Sequence, residues 1–383
     1  MVSMSKSKTG NKLEALIRAA NAKYGEGTIM TADKYPQLPR VRTGILSLDL
    51  DIGGGIPKGR IVIFTGNEST GKSTVAQIAV ARFQNTCRTC GGPIAEDRTC
   101  PVCKEKGGPH QAFIADLEGT FDGAWFEALG GNLDELYLCQ PEFAEQAADV
   151  TEAVIRTGEV DIVVIDSLAN MAPFKEIEDS AESQHVGIGA KLNNRFLRCV
   201  QAGLNSLGMS NLRKPAVIII NQVRERPGVM FGNPEVMPGG RGQRFSASII
   251  VKFFARPSER IYETGGEKRA VGQQIRYSVE KNKTFPPHRE GYFILYHDDT
   301  EEYGARKGEV DVNTQLIQYG CRYGLIKKAG SWYSYKNVRE QGEANFHNAL
   351  VEQMPEAFEE IREALFELLL DVPRAKRDVE ADE

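Results

Sequence analysis

The chain has 383 residues, 41% of them hydrophobic, with 47 Lys+Arg against 52 Asp+Glu and a formal net charge of -5. That length suits two or three domains, because a single hydrophobic core stops growing at roughly 250–300 residues. The composition excludes a disordered or fibrous chain, and the negative balance excludes a uniformly basic coat, so any nucleic-acid site must be a local patch. No apolar run approaches the roughly 20 residues of a membrane span. The polar start MVSMSKSKTGNK lacks the apolar segment of a signal peptide, which predicts a cytoplasmic protein without a membrane partner.

Residues 1–10 read as disordered. Over 12–24 the side chains Leu13, Leu16, Ile17, Ala20 and Tyr24 recur at helical spacing and predict a short amphipathic helix. IVIFTG (61–66) predicts a buried strand, and a glycine turn leads from it into a helix over about 73–85. Further strands follow at QAFIADLE (111–118), LYLCQ (136–140), DIVVIDS (161–167) and AVIIINQV (216–223), with helical patterns at 144–156 and 190–206 between them. Strands alternating with helices predict a mostly parallel sheet covered on both faces. Residues 224–244 are rich in glycine and proline and read as a loop. Strand-like segments return at 247–255, 274–281 and 291–296, and a smaller unit from about 299 ends in a helix over 355–370. The expected fold class is therefore α/β: a P-loop core with a mostly parallel twisted sheet, an N-terminal helix, a small insertion and a small α+β C-terminal domain. The expected boundaries are an N-terminal arm at 1–37, a core at 38–298 with an insertion at 86–109, a C-terminal domain at 299–371 and a polar tail at 372–383.

The run Gly66, Asn67, Glu68, Ser69, Thr70, Gly71, Lys72, Ser73 satisfies GxxxxGK[ST] between a strand and a helix, with Thr74 next in line. Backbone N–H groups in such a loop cradle phosphates, Lys72 reaches the β- and γ-oxygens, and Ser73 ligates Mg²⁺. Asp166 closes IVVID, where a strand-end carboxylate can hold the magnesium. Glu118 ends FIADLE, as suits a carboxylate orienting or deprotonating the attacking water, with a solvated loop acid as its plainer reading. Gln222 ends another strand and is a candidate sensor of the γ-phosphate. These residues predict an ATPase.

Four of the seven cysteines form Cys87-x2-Cys90-x9-Cys100-x2-Cys103. Two CxxC knuckles offer four thiolates in the structural zinc pattern, with four sulfurs closing the site against catalysis. A redox pair, the rival, needs only one CxxC, and a disulfide should not persist in the cytosol. Cys139, Cys199 and Cys321 read as small buried hydrophobes.

The strings ILSLDLDIGGGIPKGRIV, QPEFAEQA, VVIDSLA, INQVR, GVMFGNPE, EKNK and LIKKAGSWYSY, together with the P-loop, resemble the bacterial and phage RecA recombinase family over roughly 13–370. The resemblance implies an ATP-dependent recombinase that polymerises on single-stranded DNA, hydrolyses ATP in response to it and exchanges it with homologous duplex. It implies that Lys72, Ser73 and Asp166 handle ATP and Mg²⁺, that Glu118 is catalytic, and that Gln222 links the γ-phosphate to the DNA loops. Trp125 replaces a tyrosine that stacks on adenine, Tyr296 joins the nucleotide contacts, and Lys281 and Lys283 match lysines that reach a neighbouring protomer's ATP. The N-terminal helix, through Leu13, Leu16 and Ile17, and Phe245 would form the subunit interface. DNA would meet two loops, at about 175–189 and 224–244. The candidates there are Val186, Gly187, Gly189 and Arg195 for the first, and Arg224, Arg226, Pro227, Gly239, Gly240, Arg241 and Arg244 for the second. Val186 and Pro227 replace the apolar wedges usual at those points, and the first loop carries Glu176, Glu178, Asp179 and Glu182 against one lysine.

In the C-terminal unit, Arg322, Lys327, Lys328, Lys336 and Arg339 interleave with Tyr323, Trp332, Tyr333 and Tyr335, which suits duplex capture. The alternative is a small aromatic core ringed by snorkelling lysines, and Trp332 is expected to be buried. The zinc insertion falls where typical family members have a short connection. Two other readings of the whole chain stand beside this one: a RadA-like branch-remodelling ATPase, and a non-catalytic filament scaffold switched by ATP. The layout of the cysteines, inside the core and not before it, opposes the first, and Glu118 opposes the second.

Overall fold

The computed structural model describes residues 8–25, 27–34, 38–87, 94–95, 99–100, 110–174, 188–208, 214–225, 235–236, 238, 242–263 and 268–370. Helix α1 (Lys8–Tyr24) begins before the expected 12–24, because periodicity marks only the stretch that carries apolar side chains. Leu13 and Leu16 on it are each 60% exposed. The short pair β1 (Arg40–Val41) and β2 (Ile56–Pro57) flanks the buried helix α2 (Leu46–Ile52). The core then runs β3 (Ile61–Gly66), α3 (Lys72–Gln84), β4 (Ala112–Asp116), α4 (Gly123–Ala128), β5 (Leu136–Cys139), α5 (Ala144–Thr157), β6 (Ile162–Asp166), α6 (Ile188–Ser206) and β7 (Ala216–Gln222). A two-stranded stem, β8 (Arg224–Glu225) with β9 (Glu235–Val236), precedes α7 (Gly242–Ser246), and β10 (Ile249–Tyr262), β11 (Ala270–Asn282) and β12 (Glu290–Tyr296) complete the core.

Eight strands form one sheet in the order β12-β11-β10-β3-β7-β6-β4-β5. From β10 to β5 neighbours run parallel, while β11 and β12 add an antiparallel edge. The central strands read as unbroken β-branched runs because helices cover both faces. Two apolar layers result: α2 and α3 pack on one face with Phe64, Phe126 and Phe253, and α5 and α6 pack on the other with Phe113, Phe196 and Ile219. β10 and β11 extend past the expected 247–255 and 274–281. Their outer halves are polar and held by pairs such as Arg276–Glu259 (2.6 Å), so apolar patterning could not reveal them.

Residues 299–311, expected to open the C-terminal unit, lie along β12 through the Leu295–Val310 bridge and the Tyr296 N–H to Glu309 carbonyl bond. The smaller unit comprises α8 (Val312–Arg322), a sheet of β13 (Lys327–Ala329), β14 (Trp332–Tyr335) and β15 (Val338–Gln341), then α9 (Glu343–Gln353) and α10 (Ala357–Leu370). Its core, built on Leu316, Phe346, Ile361 and Leu365, takes in Leu46 and Leu50 of α2. A buried carboxylate pins the same seam: Asp51 accepts from Tyr277 Oη (2.8 Å) and Tyr319 Oη (2.7 Å). Trp332 is not buried as expected but 42% exposed, and Tyr333 is buried instead, since alternate side chains of a strand face opposite ways. Cys139, Cys199 and Cys321 are half-buried, not enclosed as expected; Cys139 and Cys321 lie at the margins of their cores.

Candidate active site

The P-loop joins β3 to α3. At Gly66 the backbone takes φ +148°, and a Cβ would collide with the Phe253 carbonyl of the neighbouring strand and with Thr70 Oγ1. Only glycine fits such an approach. Thr70 Oγ1 (2.9 Å) and Lys72 Nζ (2.6 Å) both donate to the Asn67 carbonyl, which closes the loop on itself. Lys72 is buried. Desolvation lowers its pKa, while Asp166, Glu118 and Glu68 pull it back up.

Asp166, at the end of β6, is 8% exposed and its Oδ1 has no hydrogen-bond partner among the described residues. Burial pushes its pKa up to about 6; a Ser73 hydrogen bond opposes this, and the nearby Glu118 and Asp116 reinforce it. A carboxylate oxygen orphaned next to a P-loop serine is what a divalent cation would satisfy, so the residues fit Mg²⁺ held by Ser73 and Asp166. When bound, the ion supplies counter-charge to the phosphates.

Glu118 is set by partners from three strand ends. Ser167 Oγ donates to Glu118 Oε1 at 2.5 Å, and Gln222 Nε2 donates to the same oxygen at 3.1 Å. Its own loop is cupped by buried Asp116. Asp116 Oδ1 accepts from the N–H groups of Glu118 (3.2 Å), Gly119 (2.9 Å) and Thr120 (3.4 Å), and Oδ2 accepts from Phe121 N–H and Gln140 Nε2 (both 3.1 Å). A carboxylate so fixed beside a phosphate cradle can orient a water for in-line attack without reorganising. Sequence reasoning missed Ser167 and Asp116. A signal existed for Asp116, since a short acid side chain three residues before a glycine commonly binds the N–H groups of the turn that follows.

Trp125 lies on α4, whose start is capped by Asp122. Gly308 brings this helix to the end of β12: its N–H donates to the Tyr296 carbonyl (2.8 Å), and its Cα abuts the Ala128 carbonyl. Trp125 is half-buried, with Lys307 Nζ 5.6 Å from its ring centroid, whereas Tyr296 is 6% exposed and packs on Tyr303.

The second loop's stem connects directly to this site. Next to Gln222, Asn221 Nδ2 donates to Gln243 Oε1 (2.6 Å) and to the Pro238 carbonyl (3.2 Å), and Gln243 Nε2 donates to that same carbonyl (2.5 Å). Gly242 has no room for a side chain beside Asn194 of α6, so the two loop stems meet there. Gly189 and exposed Arg195 lie on α6, Arg224 begins the stem, and Arg244 pairs with Glu280 (2.9 Å). Val186, Gly187, Arg226, Pro227, Gly239, Gly240 and Arg241 lie outside the described residues.

Lys281 and Lys283 stand apart from the P-loop. β10 pairs Phe253 with Gly66 but Ile249 with Val62, and Asn282 of β11 pairs with Ile249. The two lysines therefore occupy the opposite end of the sheet, about 13 Å along the strand direction. They donate to the carbonyls of Arg244 and Phe245, respectively, and the Phe245 side chain is 76% exposed. Partial burial, then Lys283 and Arg244, lower the Lys281 pKa, as expected where like charges crowd.

Among the described residues, no group of three or more His, Cys, Asp or Glu could hold a metal. Cys90 and Cys103 lie outside those residues; Cys87 and Cys100 are buried. The expected zinc centre is thus not established. No described helix is long and apolar enough to cross a membrane.

A strand–P-loop–helix unit at the middle of a mostly parallel sheet, with strand-end Asp, Glu and Gln converging on it, defines a nucleotide-hydrolysing P-loop ATPase. The RecA N-terminal domain matches residues 11–300 and the RecA C-terminal domain matches 314–370. The chain is 37% identical to Protein RecA of Thermus thermophilus over 374 residues, 97% of this chain and 98% of the relative. It is 36% identical over 358 residues to the Oceanobacillus iheyensis protein, covering 92% and 90%, and 38% over 344 residues to that of Streptococcus pneumoniae, covering 88% and 78%. The chain belongs to the RecA family. It is a RecA recombinase and a DNA-dependent ATPase.

Proposed function

We propose that this recombinase pairs single-stranded DNA with homologous duplex in a head-to-tail filament, each nucleotide lying between the P-loop of one copy and Lys281, Lys283 and Phe245 of the next. The observation that carries this reading is the position of the two lysines and the exposed Phe245 at the far end of the sheet from Lys72. They cannot serve their own P-loop. Lys72 and Mg²⁺ neutralise the phosphates, Glu118 orients the water, and Gln222 passes the γ-phosphate state to Asn221, Gln243 and the second loop. Trp125 is the adenine platform, and the exposed apolar face of α1 docks on the neighbour.

Complementation tests the shared site. Lys72→Ala and Lys281→Ala should each be inactive alone. Mixed in equal amounts they should recover about a quarter of wild-type ATPase, because random head-to-tail contacts pair an intact P-loop with an intact lysine that often. No recovery would overturn the shared site. D-loop formation with homologous but not heterologous duplex, in ATP and in a slowly hydrolysed analogue, tests the pairing step.

A second reading concerns the cysteines. We infer a structural zinc held by Cys87, Cys90, Cys100 and Cys103. Support comes from the CxxC spacing and from the burial of one cysteine of each pair, Cys87 and Cys100. In so small an insertion, metal binding would supply most of the folding free energy. Purified protein should contain one zinc per chain and lose it in Cys100→Ser with ATP binding intact. Reduced, chelator-free protein without zinc would overturn this.

A further inference from the structure

Asn282 lies between Lys281 and Lys283, and the two faces of this strand end go to different elements. The lysines reach the carbonyls of Arg244 and Phe245 on α7, whereas the Asn282 side chain turns to the C-terminus of α2. Alternation along a strand requires this: the lysines share one face only if the residue between them takes the other.

Asn282 makes three hydrogen bonds there. Its Nδ2 donates to the Ile52 carbonyl (3.1 Å), and its Oδ1 accepts from Thr284 N–H (2.8 Å) and Thr284 Oγ1 (2.9 Å). The bond to Thr284 N–H closes a local turn that ends the strand just past Lys283. The Ile52 carbonyl is among the last of α2, which have no partner within the helix. Arg40, on the first strand after the N-terminal arm, donates through Nη1 to the same carbonyl and to that of Gly55 (both 3.1 Å). Its Nη2 donates to the Thr284 carbonyl (3.3 Å). Thr284 is thereby held at its N–H, its hydroxyl and its carbonyl. The Lys283 N–H is fixed in turn by the Ser248 carbonyl (2.9 Å). The α2 turn also packs on the chain just beyond, since a Cβ at Gly53 would lie 2.7 Å from Phe285 Cγ. An ammonium on a flexible four-carbon stem is aimed only as well as its backbone is held.

We propose that Asn282, braced by Arg40, is the positioning residue of the trans cationic edge. It holds the strand end so that Lys281 and Lys283 project together towards a neighbour's phosphates. This role rests on the nucleotide site shared between copies, and both residues act through the lysines.

The test measures DNA-stimulated ATP hydrolysis by the full-length protein, alone and in equal mixtures. Asn282→Ala removes all three bonds and leaves both lysines in the chain. A displacement of the lysines by about 1 Å should lower turnover roughly ten- to a hundredfold. Nucleotide affinity without DNA should stay at the wild-type value, because each subunit keeps its own P-loop. Mixed with Lys72→Ala, which carries a sound cationic edge, Asn282→Ala should recover to about a quarter of wild-type ATPase. Mixed with Lys281→Ala, which shares its defect, it should recover nothing. A merely structural role would not distinguish the two partners. Asn282→Ser keeps a weaker acceptor for the turn and should fall between Asn282→Ala and the wild type. Wild-type turnover in Asn282→Ala, or equal recovery with both partners, overturns the positioning role. Failure of Lys72→Ala and Lys281→Ala to complement each other instead refutes the shared site, and this inference with it. Should Asn282→Ala fail to fold, Asn282→Ser and Arg40→Met carry the same comparison.

Discussion

Replacing Asp116 by Asn changes one atom of the support beneath Glu118, and its cost can be worked from the hydrogen bonds. Oδ1 keeps its three backbone donors, from Glu118, Gly119 and Thr120. Oδ2 becomes an NH₂ group facing two donors, Phe121 N–H and Gln140 Nε2. Gln140 can rotate its amide and present oxygen, but the Phe121 N–H cannot. One backbone donor is left unsatisfied, at about 1–3 kcal/mol. That should lower the melting temperature by a few degrees without unfolding the chain. The larger effect is on turnover, because a displacement of about 1 Å in a positioned group can cost roughly a hundredfold. DNA-stimulated ATP hydrolysis should fall by one to two decades at unchanged nucleotide affinity. A second signature separates this from general damage. The Asp116 charge helps to raise the Asp166 pKa, so its removal should shift the acid limb of the pH–rate profile downward. Wild-type turnover, or an acid limb that moves up, would refute the reasoning.

Asp166→Asn should abolish hydrolysis yet stabilise the nucleotide-free protein at neutral pH. With a folded pKa near 6 against an unfolded value near 4, the ionised side chain opposes folding fully above about pH 6, by about 3 kcal/mol, and the penalty fades as pH falls towards 4. Chemical denaturation at pH 7.5 and pH 4 checks this, since the gain should vanish at the lower pH. Gln243→Ala should leave basal ATPase near wild type and remove most of the DNA-dependent increment, because the stem loses its bonds to Asn221 and Pro238; steady-state assays with and without single strands decide. Deleting residues 1–24 should leave a monomeric core that binds nucleotide normally, and long oligomers in sedimentation would contradict it.

The parts of the site that lie at strand ends were legible in the sequence, because a β-branched run closing on Asp, Glu or Gln announces its own geometry. Asp166 and Gln222 close such runs, Glu118 follows two residues past one, and Gly66 to Ser73 is marked by its own glycine spacing. Ser167 was not legible: its partner Glu118 lies 49 positions away, and only the adjacency of β4 and β6 joins them. The Asn221–Gln243 bond likewise spans a loop of no regular pattern. In the C-terminal unit, α9 escaped notice because its buried residues, Phe346, Ala349 and Leu350, are too few to mark a period. Trp332 was misjudged because bulk suggests burial, whereas the two-residue alternation of β14 decides it. Its ring instead lies 5.1 Å from the Arg339 guanidinium, at the surface.

The separation of the P-loop from Lys281 and Lys283 along one sheet gives any polymer built through them a direction. Such a polymer has two unlike tips: one presents a bare phosphate cradle, the other an unused cationic edge. It contains one fewer finished site than it has members, so turnover per molecule must climb with length and be depressed on short strands. The member with the bare cradle lacks trans counter-charge and should exchange its nucleotide fastest. Loss of subunits would then be a property of one tip, set by where two lysines fall on a strand.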